Sequence, residues 1–347
     1  MKQYKSLDLA KFICAILIIV LHTAPFSSYS KLLTFGFRNI ITIIAVPFFF
    51  LTSGFLAFKK LDSLEGERKG AYIVQYLKRL FVMYLIWSAV YFVFVVISWS
   101  REGFSMGAVL EYVKNFFFEG SYSTIWFLPA LFAATLLVYW LHKRWSYRMI
   151  FAIACAIYLF TLGASSYYGL AEQVSALKAV YELYYSVFDT VKNGVCFGLI
   201  FVSMGAMISE CEEKITQATT ALRAFVPVVG FAVLLSMEAV LVAYFNWNLR
   251  GVDTLLMLAP FTYFLVRFLL VWDIKLGERA CAAMRKYSIL MFLTQRIPMS
   301  ILALWLSDTV LVQNSMVYFV TVFGATLLIS FGILQASKKV TWLKFAY

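Results

Sequence analysis

Long apolar stretches separated by short polar segments recur along the whole chain. A stretch of about 20 apolar residues is long enough for a helix to cross the ~30 Å hydrocarbon core of a bilayer. The apolar residues do not alternate with polar ones, which favours helices over a β-barrel. We therefore predict an all-α integral membrane protein, a bundle of about ten transmembrane helices, with spans near residues 9–25, 40–58, 78–99, 125–142, 147–163, 190–208, 224–245, 252–272, 288–307 and 316–336.

The composition supports this interpretation and limits the domain organisation. Hydrophobic residues make up 63% of the chain and charged residues 14%, which a water-soluble domain of this length does not tolerate on its surface. We expect one polytopic domain over residues 1–347. The first span lacks a small-residue cleavage site, so we expect it to be retained. The five cysteines form no CxxC pair and are interpreted as packing residues.

Lysine and arginine are concentrated in alternate connections, beginning with the segment before the first span. The positive-inside rule then places both the N- and the C-terminus in the cytoplasm. The net charge of +12 is explained by this topology and by attraction to the anionic lipid bilayer. No nucleic-acid partner is therefore predicted, although the charge could also help to hold a polyanionic cofactor.

Lys11 and His22 are the most informative polar residues of the first span. They are eleven residues apart, so a helix at 100° per residue turns by about 1100° between them and places both on one face, roughly 16 Å apart. Ionisable groups at membrane depth are costly and often functional. An imidazole can take a proton from a hydroxyl near neutral pH. The alternatives are a histidine hydrogen-bonded within the bundle and a lysine that marks topology.

Four further residues are candidates for contact with a donor substrate. Ser53 lies in a small polar patch near the cytoplasmic end of the second span, where simple helix packing is the alternative. Lys78 and Arg79 open the third span and could bind phosphates or anchor the helix at lipid headgroups. Trp126 begins the fourth span, where the aromatic belt is the default interpretation.

Two sets of polar residues remain. Glu238 and Arg296 are predicted to lie at comparable depth in the bundle and to pair, because either charge alone would be costly there. Asp189, Asn193 and Asp253 are predicted at the outer face, where they could select an external acceptor or simply form a solvated helix entrance. No metal site is predicted.

Taken in order, these segments resemble membrane acyltransferase family 3. The matching pieces are Asp8-x-x-Lys11 followed by ten residues and His22, the FFFLTSGFL run, Tyr76-Leu-Lys-Arg79-Leu, Trp126-Phe-Leu, the stretch 198–205 and Tyr287-Ser-Ile-Leu-Met-Phe-Leu-Thr-Gln295. The segments IWFLPALF and VKNGVCFGLIFVSMG are similar to the branch that supplies the membrane domains of vancomycin-resistance serine racemases.

The resemblance implies transfer of an acyl group, acetyl in the simplest case, from cytoplasmic acyl-CoA to a hydroxyl of a cell-envelope glycan or related acceptor. It implies His22 as general base and places the basic residue at position 11 and Arg79 along the route of the CoA phosphates, with Ser53 beside the pantetheine arm. Acyl-CoA is then a substrate, and no permanently bound cofactor is expected. The implied location is the plasma membrane of a bacterium.

Two departures from the family pattern affect the expected chemistry. Lys11 stands where the family usually has arginine, which keeps the charge but loses the bidentate fork. Gln295 stands where histidine is frequent, and an amide cannot titrate. A carrier for a small amino acid such as serine, or for a glycan precursor, is the alternative function.

Overall fold

The computed structural model describes residues 3–347, and over that range it contains helices and no β-strand. The α-helices are α1 Lys5–Thr23, α2 Lys31–Gly36, α3 Ala45–Asp62, α4 Glu67–Glu102, α5 Met106–Phe118, α6 Phe127–His142, α7 Tyr147–Ala164, α8 Tyr168–Ala171, α9 Ser175–Tyr185, α10 Leu199–Ala218, α11 Ala221–Tyr244, α12 Leu258–Val271, α13 Glu278–Thr294, α14 Arg296–Trp305, α15 Val310–Gln313 and α16 Ser315–Lys339. Single π turns at Phe37–Ile41 and Gly194–Gly198 and 3₁₀ turns at Thr42–Ile44 and Thr341–Ala346 complete the helical elements.

Within residues 3–347, eight helical segments are long and apolar enough to cross a membrane. They are Lys5–Thr23, Lys31–Asp62, Glu67–Glu102, Tyr147–Ala164, Gly194–Ala218, Ala221–Tyr244, Glu278–Trp305 and Ser315–Lys339. Helices α6 and α12 are apolar but shorter. An apolar helix therefore lies at each predicted span, while the predicted number of crossings and the orientation of the termini stay predictions.

Two helices differ clearly in length from their predicted spans: α4 is longer and α12 is shorter. At 1.5 Å per residue, the 36 residues of α4 extend about 54 Å, well beyond the ~30 Å hydrocarbon core. The 14 residues of α12 extend only about 21 Å. The predicted span 252–272 thus begins with irregular backbone.

Side-chain caps fix the starts of several helices. Ser105, Ser146 and Thr220 each accept a backbone amide from the first turn of α5, α7 and α11. Asn314 accepts two amides at the start of α16. Such caps satisfy amides that have no partner within the helix.

The chain forms two compact units. The first unit comprises Met1–Leu7, Val46–Lys78 and Pro129–Ile274, and the second comprises Asp8–Ala45, Arg79–Leu128 and Lys275–Tyr347. In the first unit, α10 packs against α7 and α12, and α11 packs against α12. In the second unit, α16 packs against α13, α14 and α15.

Close backbone approach holds α3 and α10 of the first unit together. A Cβ atom on Gly54 would lie 2.7 Å from the Val202 carbonyl oxygen, and one on Gly205 would lie 2.2 Å from the Leu51 carbonyl oxygen. Only glycine fits at either position. Part of the small-residue patch predicted around Ser53 is therefore a helix-packing contact.

Candidate active site

His22 lies in the last turn of α1 and is half-buried. The helix ends because Pro25 has no amide to donate and restricts the residue before it. Ala24 takes a left-handed φ of 45°, and its amide closes the final turn on the Val20 carbonyl at 2.9 Å. The Ser315 hydroxyl, at the start of α16, donates to the Pro25 carbonyl at 2.7 Å. The end of the helix is thereby fixed close to the imidazole.

Arg296 is the first residue of α14, at the break between α13 and α14. Pro298 lacks the amide that would bond to the Thr294 carbonyl, which interrupts the helical ladder at this point. Gln295, at the break itself, is fully buried. Its Nε2 donates to the Phe292 carbonyl at 3.1 Å, while its Oε1 has no hydrogen-bond partner among residues 3–347.

Arg296 bridges His22 and Ser123. Its Nη2 lies 3.2 Å from His22 Nδ1 and donates to Ser123 Oγ at 2.8 Å. A guanidinium carries donors only, so Nδ1 is the accepting nitrogen and a neutral imidazole carries its proton on Nε2. All three residues belong to the second unit. The arrangement holds the imidazole in one orientation.

Stacked tyrosines hold the segment that carries Ser123 against α13 and α14. The rings of Tyr91 and Tyr122 are 4.6 Å apart and nearly parallel, at 5°. The Tyr91 hydroxyl donates to the Leu293 carbonyl at 2.5 Å, and the Tyr122 hydroxyl is 2.7 Å from the Ser300 hydroxyl. Arg296 and its serine partner are thus supported by the same contacts.

A tight turn precedes Ser123 and Trp126. Gly120 has a φ of 93°, and a Cβ atom there would lie 2.5 Å from the Trp126 Cα. The Ser121 amide donates to the Tyr84 hydroxyl at 2.9 Å. Glycine is required by both the left-handed backbone and the close approach. Trp126, which is predicted to contact the acyl-CoA donor, is half-buried and lies directly before α6.

The other end of α1 carries a group of charges. Asp8 forms an ion pair with Arg285, with 3.5 Å between Oδ2 and Nε. Lys11 follows one turn later and is half-buried. Because α1 is unbroken between Lys11 and His22, the two lie on one face with a rise of roughly 16 Å, as the spacing predicts.

Arg79 of α4 contacts the last residues of the chain. Its Nη2 donates to the Tyr347 carbonyl at 2.8 Å, and Trp87 Nε1 donates to the Ala346 carbonyl at 3.0 Å. The guanidinium is otherwise exposed. Lys78 is exposed and Ser53 is half-buried, and both belong to the first unit. Their predicted contact with the donor stays a prediction.

Glu238 does not have the predicted partner. Its Oε2 accepts the Met257 amide at 2.7 Å, and its Oε1 accepts the Leu256 amide at 2.5 Å and the Tyr167 hydroxyl. Burial and the bond to the carboxylate raise the pKa of Tyr167 well above its ordinary value, so this hydroxyl stays a donor. The pairing predicted with Arg296 is wrong. Glu238 binds backbone amides of an irregular segment in the first unit. Arg296 contacts an imidazole and a serine in the second unit.

The predicted acceptor-side residues all lie in the first unit. Asn193 Oδ1 accepts the Val195 and Cys196 amides at 3.0 and 2.8 Å, and thereby caps the turn before α10. Asp253 forms an ion pair with Lys192 at 2.8 Å. Asp189 is exposed. These contacts give Asn193 and Asp253 structural roles, and contact with an acceptor stays a prediction.

An arginine held by two tyrosines lies in the same unit. The Arg250 guanidinium carbon is 4.6 Å from the ring centre of Tyr168 and 3.9 Å from that of Tyr185. A cation over aromatic faces is stabilised by the ring electrons. This contact joins the segment before α12 to α8 and to the end of α9.

The apolar helices define an all-helical, multi-pass membrane protein. The chain belongs to acyltransferase family 3, since residues 4–335 match the acyltransferase domain of that family. The expected family is therefore confirmed. No solved structure matches the chain.

Curated relatives carry other names. An amino-acid racemase of Enterococcus faecalis is 32% identical over 61% of this chain and 29% of its own length. A second amino-acid racemase of the same species is 26% identical over 80% of the chain and 39% of its own length. A serine/alanine racemase of Enterococcus gallinarum is 25% identical over 66% and 32% respectively. The chain thus matches about a third of the length of these bacterial relatives.

Two features of the site were missed from the sequence. Ser123 was not singled out, because a serine in a loop carries no distinctive pattern. For Arg296 the sequence predicts a buried cation paired with a carboxylate at comparable depth, because either charge alone would be costly there. The only signal for its actual partner is that His22 and Arg296 both lie at helix ends bounded by a nearby proline.

Proposed function

We propose that the protein is a membrane O-acyltransferase that moves an acyl group, acetyl in the simplest case, from acyl-CoA to a hydroxyl of a cell-envelope glycan or related acceptor. The contact between Arg296, His22 and Ser123 supports this proposal most directly. It provides an imidazole, a cation and a hydroxyl in one place, within a chain of an acyltransferase family.

In the proposed reaction, His22 acts as general base and then as general acid. Nδ1 takes the proton of the acceptor hydroxyl while the oxygen attacks the thioester carbonyl carbon. The C–S bond then breaks, and the proton passes from Nδ1 to the departing thiolate sulfur. Such proton transfers contribute typically about 10²–10⁴-fold to a rate.

Arg296 must change partners in this reaction. In the structure its guanidinium faces the same Nδ1 lone pair that the acceptor hydroxyl requires. We infer that Arg296 turns from Nδ1 to the thioester oxygen, where negative charge develops in the tetrahedral intermediate. The guanidinium would therefore orient the histidine at rest and stabilise the oxyanion during transfer.

Two basic residues of the second unit are candidates to bind the phosphates of CoA. Lys11 lies on the same face of α1 as His22. Arg79 is the first residue of α4 that belongs to the second unit. Cationic side chains bind phosphate by charge-assisted hydrogen bonds. A donor held there would need only its narrow pantetheine arm to reach the histidine.

The test uses the purified protein in lipid nanodiscs with acyl-labelled acetyl-CoA and a panel of envelope glycans. Release of CoA should be followed by chromatography, since the five cysteines would react with thiol reagents. We expect acceptor-dependent release and transfer of label, both lost in His22→Ala. The matched control is His142→Ala, which removes the other histidine of the chain from the end of α6.

Transfer that survives His22→Ala would rule out the proposed base. Loss of transfer in both histidine variants would indicate general damage, which size-exclusion chromatography of each variant would show. If CoA were released but no acceptor became labelled, the reaction would be hydrolysis of acyl-CoA.

A carrier for serine or a related small amino acid is the second candidate. The names of the relatives favour it, because two are amino-acid racemases and one is a serine/alanine racemase. Counterflow of labelled L-serine in proteoliposomes, without consumption of acyl-CoA, would support the carrier. Acyl transfer without counterflow would exclude it.

A further inference from the structure

A shallow cavity that is open at the surface lies near the His22 end of α1, in the second unit. It has a volume of about 290 Å³ and is lined by Ser27, Lys31, Thr34, Phe35, Arg38 and Asn39. Ligand pockets typically begin at about 300 Å³, so the cavity suits a small molecule or one residue of a larger one. None of these lining residues had been predicted as functional.

The charge in this cavity is of one sign. Lys31 and Arg38 are the charged residues of its lining. Neither side chain has an acidic partner or hydrogen-bond acceptor among residues 3–347, whereas Lys59 of the first unit is paired with Glu212 at 2.9 Å. The remaining walls provide two hydroxyls, an amide and one aromatic ring. Two cations with neutral hydrogen-bonding groups around them favour an anion that also carries hydroxyls.

A second, much smaller pocket adjoins this cavity on the side of α1. It has a volume of about 10 Å³, shares Thr34 and Arg38 with the cavity and is also lined by Leu21 and Ala24, which lie on either side of His22 in the chain. A ligand with its anionic group between the two cations would extend its other end along the last turn of α1. That turn carries His22.

We propose that this cavity binds the acyl acceptor, and that the acceptor is anionic: a hydroxyl compound bearing a phosphate or a carboxylate. The ligand's role as acyl acceptor rests on the proposed function. The binding of an anion in this cavity does not depend on it. Lys31 and Arg38 would hold the charged group, and Ser27, Thr34 and Asn39 would bind neighbouring hydroxyls. The acceptor hydroxyl nearest α1 would then meet His22.

The first experiment measures binding in neutral detergent, using glycerol 3-phosphate as the anionic probe and glycerol as its neutral counterpart. We expect saturable binding of glycerol 3-phosphate that weakens as salt is raised, and none of glycerol over the same range. The double variant Lys31→Gln/Arg38→Gln should lose affinity by at least about tenfold, because each lost charge-assisted bond costs on the order of one decade.

Three controls separate this result from less specific effects. Lys31→Arg/Arg38→Lys keeps both charges and should bind within about threefold of wild type, since the affinity depends mainly on charge. Lys178→Gln removes one exposed charge from α9 and should leave binding unchanged. His22→Ala should also bind the probe, because the cations and not the imidazole hold it.

A lipid headgroup and a free acceptor could both supply the phosphate. Nanodiscs of phosphatidylglycerol should compete with glycerol 3-phosphate if a headgroup enters the cavity, and nanodiscs of phosphatidylcholine serve as the neutral comparison. Competition would show that an anionic lipid headgroup enters the cavity, and its absence would favour a free molecule as the ligand.

Binding that is unchanged in Lys31→Gln/Arg38→Gln, or equal binding of glycerol, would overturn the proposal. Transfer rates provide the distinction from the proposed function. If wild-type protein binds the anion but transfers no acyl group, the acyltransferase proposal fails and the anion site stands. If transfer proceeds and is indifferent to acceptor charge in both wild type and the double variant, the anion site fails alone.

Discussion

Buried polar groups in the two units are satisfied in different ways. In the first unit, Glu238 accepts three hydrogen bonds, two of them from backbone amides directly before α12. In the second unit, Arg296 contacts an imidazole and a serine, while its Nε is buried and has no partner among residues 3–347. The carboxylate is fully engaged by the fold, and the guanidinium is not.

This difference separates a charge with a structural role from one that the proposed function could use. Irregular backbone at membrane depth must be satisfied by the protein, because hydrocarbon offers no hydrogen bonds. Glu238 meets that need for the amides of Leu256 and Met257. Arg296 has spare donors beside a titratable ring, and Gln295 next to it has a buried acceptor without a partner. Capacity left unused near a histidine is what a substrate requires.

Arg296→Gln should have the largest effect on activity. It removes the proposed oxyanion donor, and loss of one such donor typically costs about 10²–10³ in kcat, or about 3–4 kcal/mol. Stability should change little, because a neutral amide can still bond to Ser123. Steady-state CoA release in saturating acyl-CoA measures the effect. A faster variant would show that Arg296 only restrains the histidine and does not stabilise the transition state.

Glu238→Ala should instead affect stability. It leaves two amides and the Tyr167 hydroxyl without an acceptor, which should lower the unfolding free energy by about 3 kcal/mol, measured by equilibrium unfolding in mixed micelles. Activity per folded molecule should be unchanged. The control is Glu182→Ala, which removes an exposed carboxylate paired with Lys178 across one helical turn at 3.9 Å and should cost less than about 0.5 kcal/mol. A loss of activity without a loss of stability would show that Glu238 has a functional role.

The apolar segments could be predicted from the sequence because a membrane span is a property of about twenty consecutive residues. Helices α6 and α12 are shorter than their predicted spans because tight turns and irregular backbone precede them. Hydropathy averages over such turns. Gly120 and Asn246, which have positive φ, mark irregular segments near the two short helices, and they are local signals that a window of this length does not register.

The candidate site could be predicted only where it lies on one helix. The 1100° relation between Lys11 and His22 follows from helical geometry alone, and the unbroken α1 confirms it. The partners of Glu238 and Arg296 depend on which chain segments meet in the fold. Depth along a helix limits the possible partners, but the contacts of irregular segments such as 119–126 and 246–257 decide among them.

Asn193→Ala tests the same distinction at a smaller scale. Loss of its cap on two amides should cost about 1 kcal/mol of stability. Asn193→Ser keeps a capping oxygen and should restore most of it, since serine caps about as well as asparagine. If the residue also contacts the acceptor, the serine variant will recover stability but keep a raised KM for acceptor. A KM unchanged in both variants would leave Asn193 with a structural role alone.

The two units also differ in how they accommodate left-handed backbone, and this gives the smallest expected effect. Asn246 in the first unit has a φ of 58° and Ala24 in the second has a φ of 45°. Asparagine tolerates this conformation, whereas a left-handed alanine costs roughly 1–2 kcal/mol. Ala24→Gly should therefore raise the unfolding free energy by about 0.5 kcal/mol after the entropic cost of glycine, and Asn246→Ala should lower it by about 1 kcal/mol.

Ala10→Gly provides the control for the change at Ala24, because it makes the same substitution in the interior of α1, where it should cost about 1 kcal/mol. A loss of equal size at both positions would show that Ala24 is not strained. A stabilised Ala24→Gly with slower acyl transfer would show that the strained turn contributes to holding His22 in place, as strain near functional sites often does. The unfolding free energy and the transfer rate of one variant would then change in opposite directions.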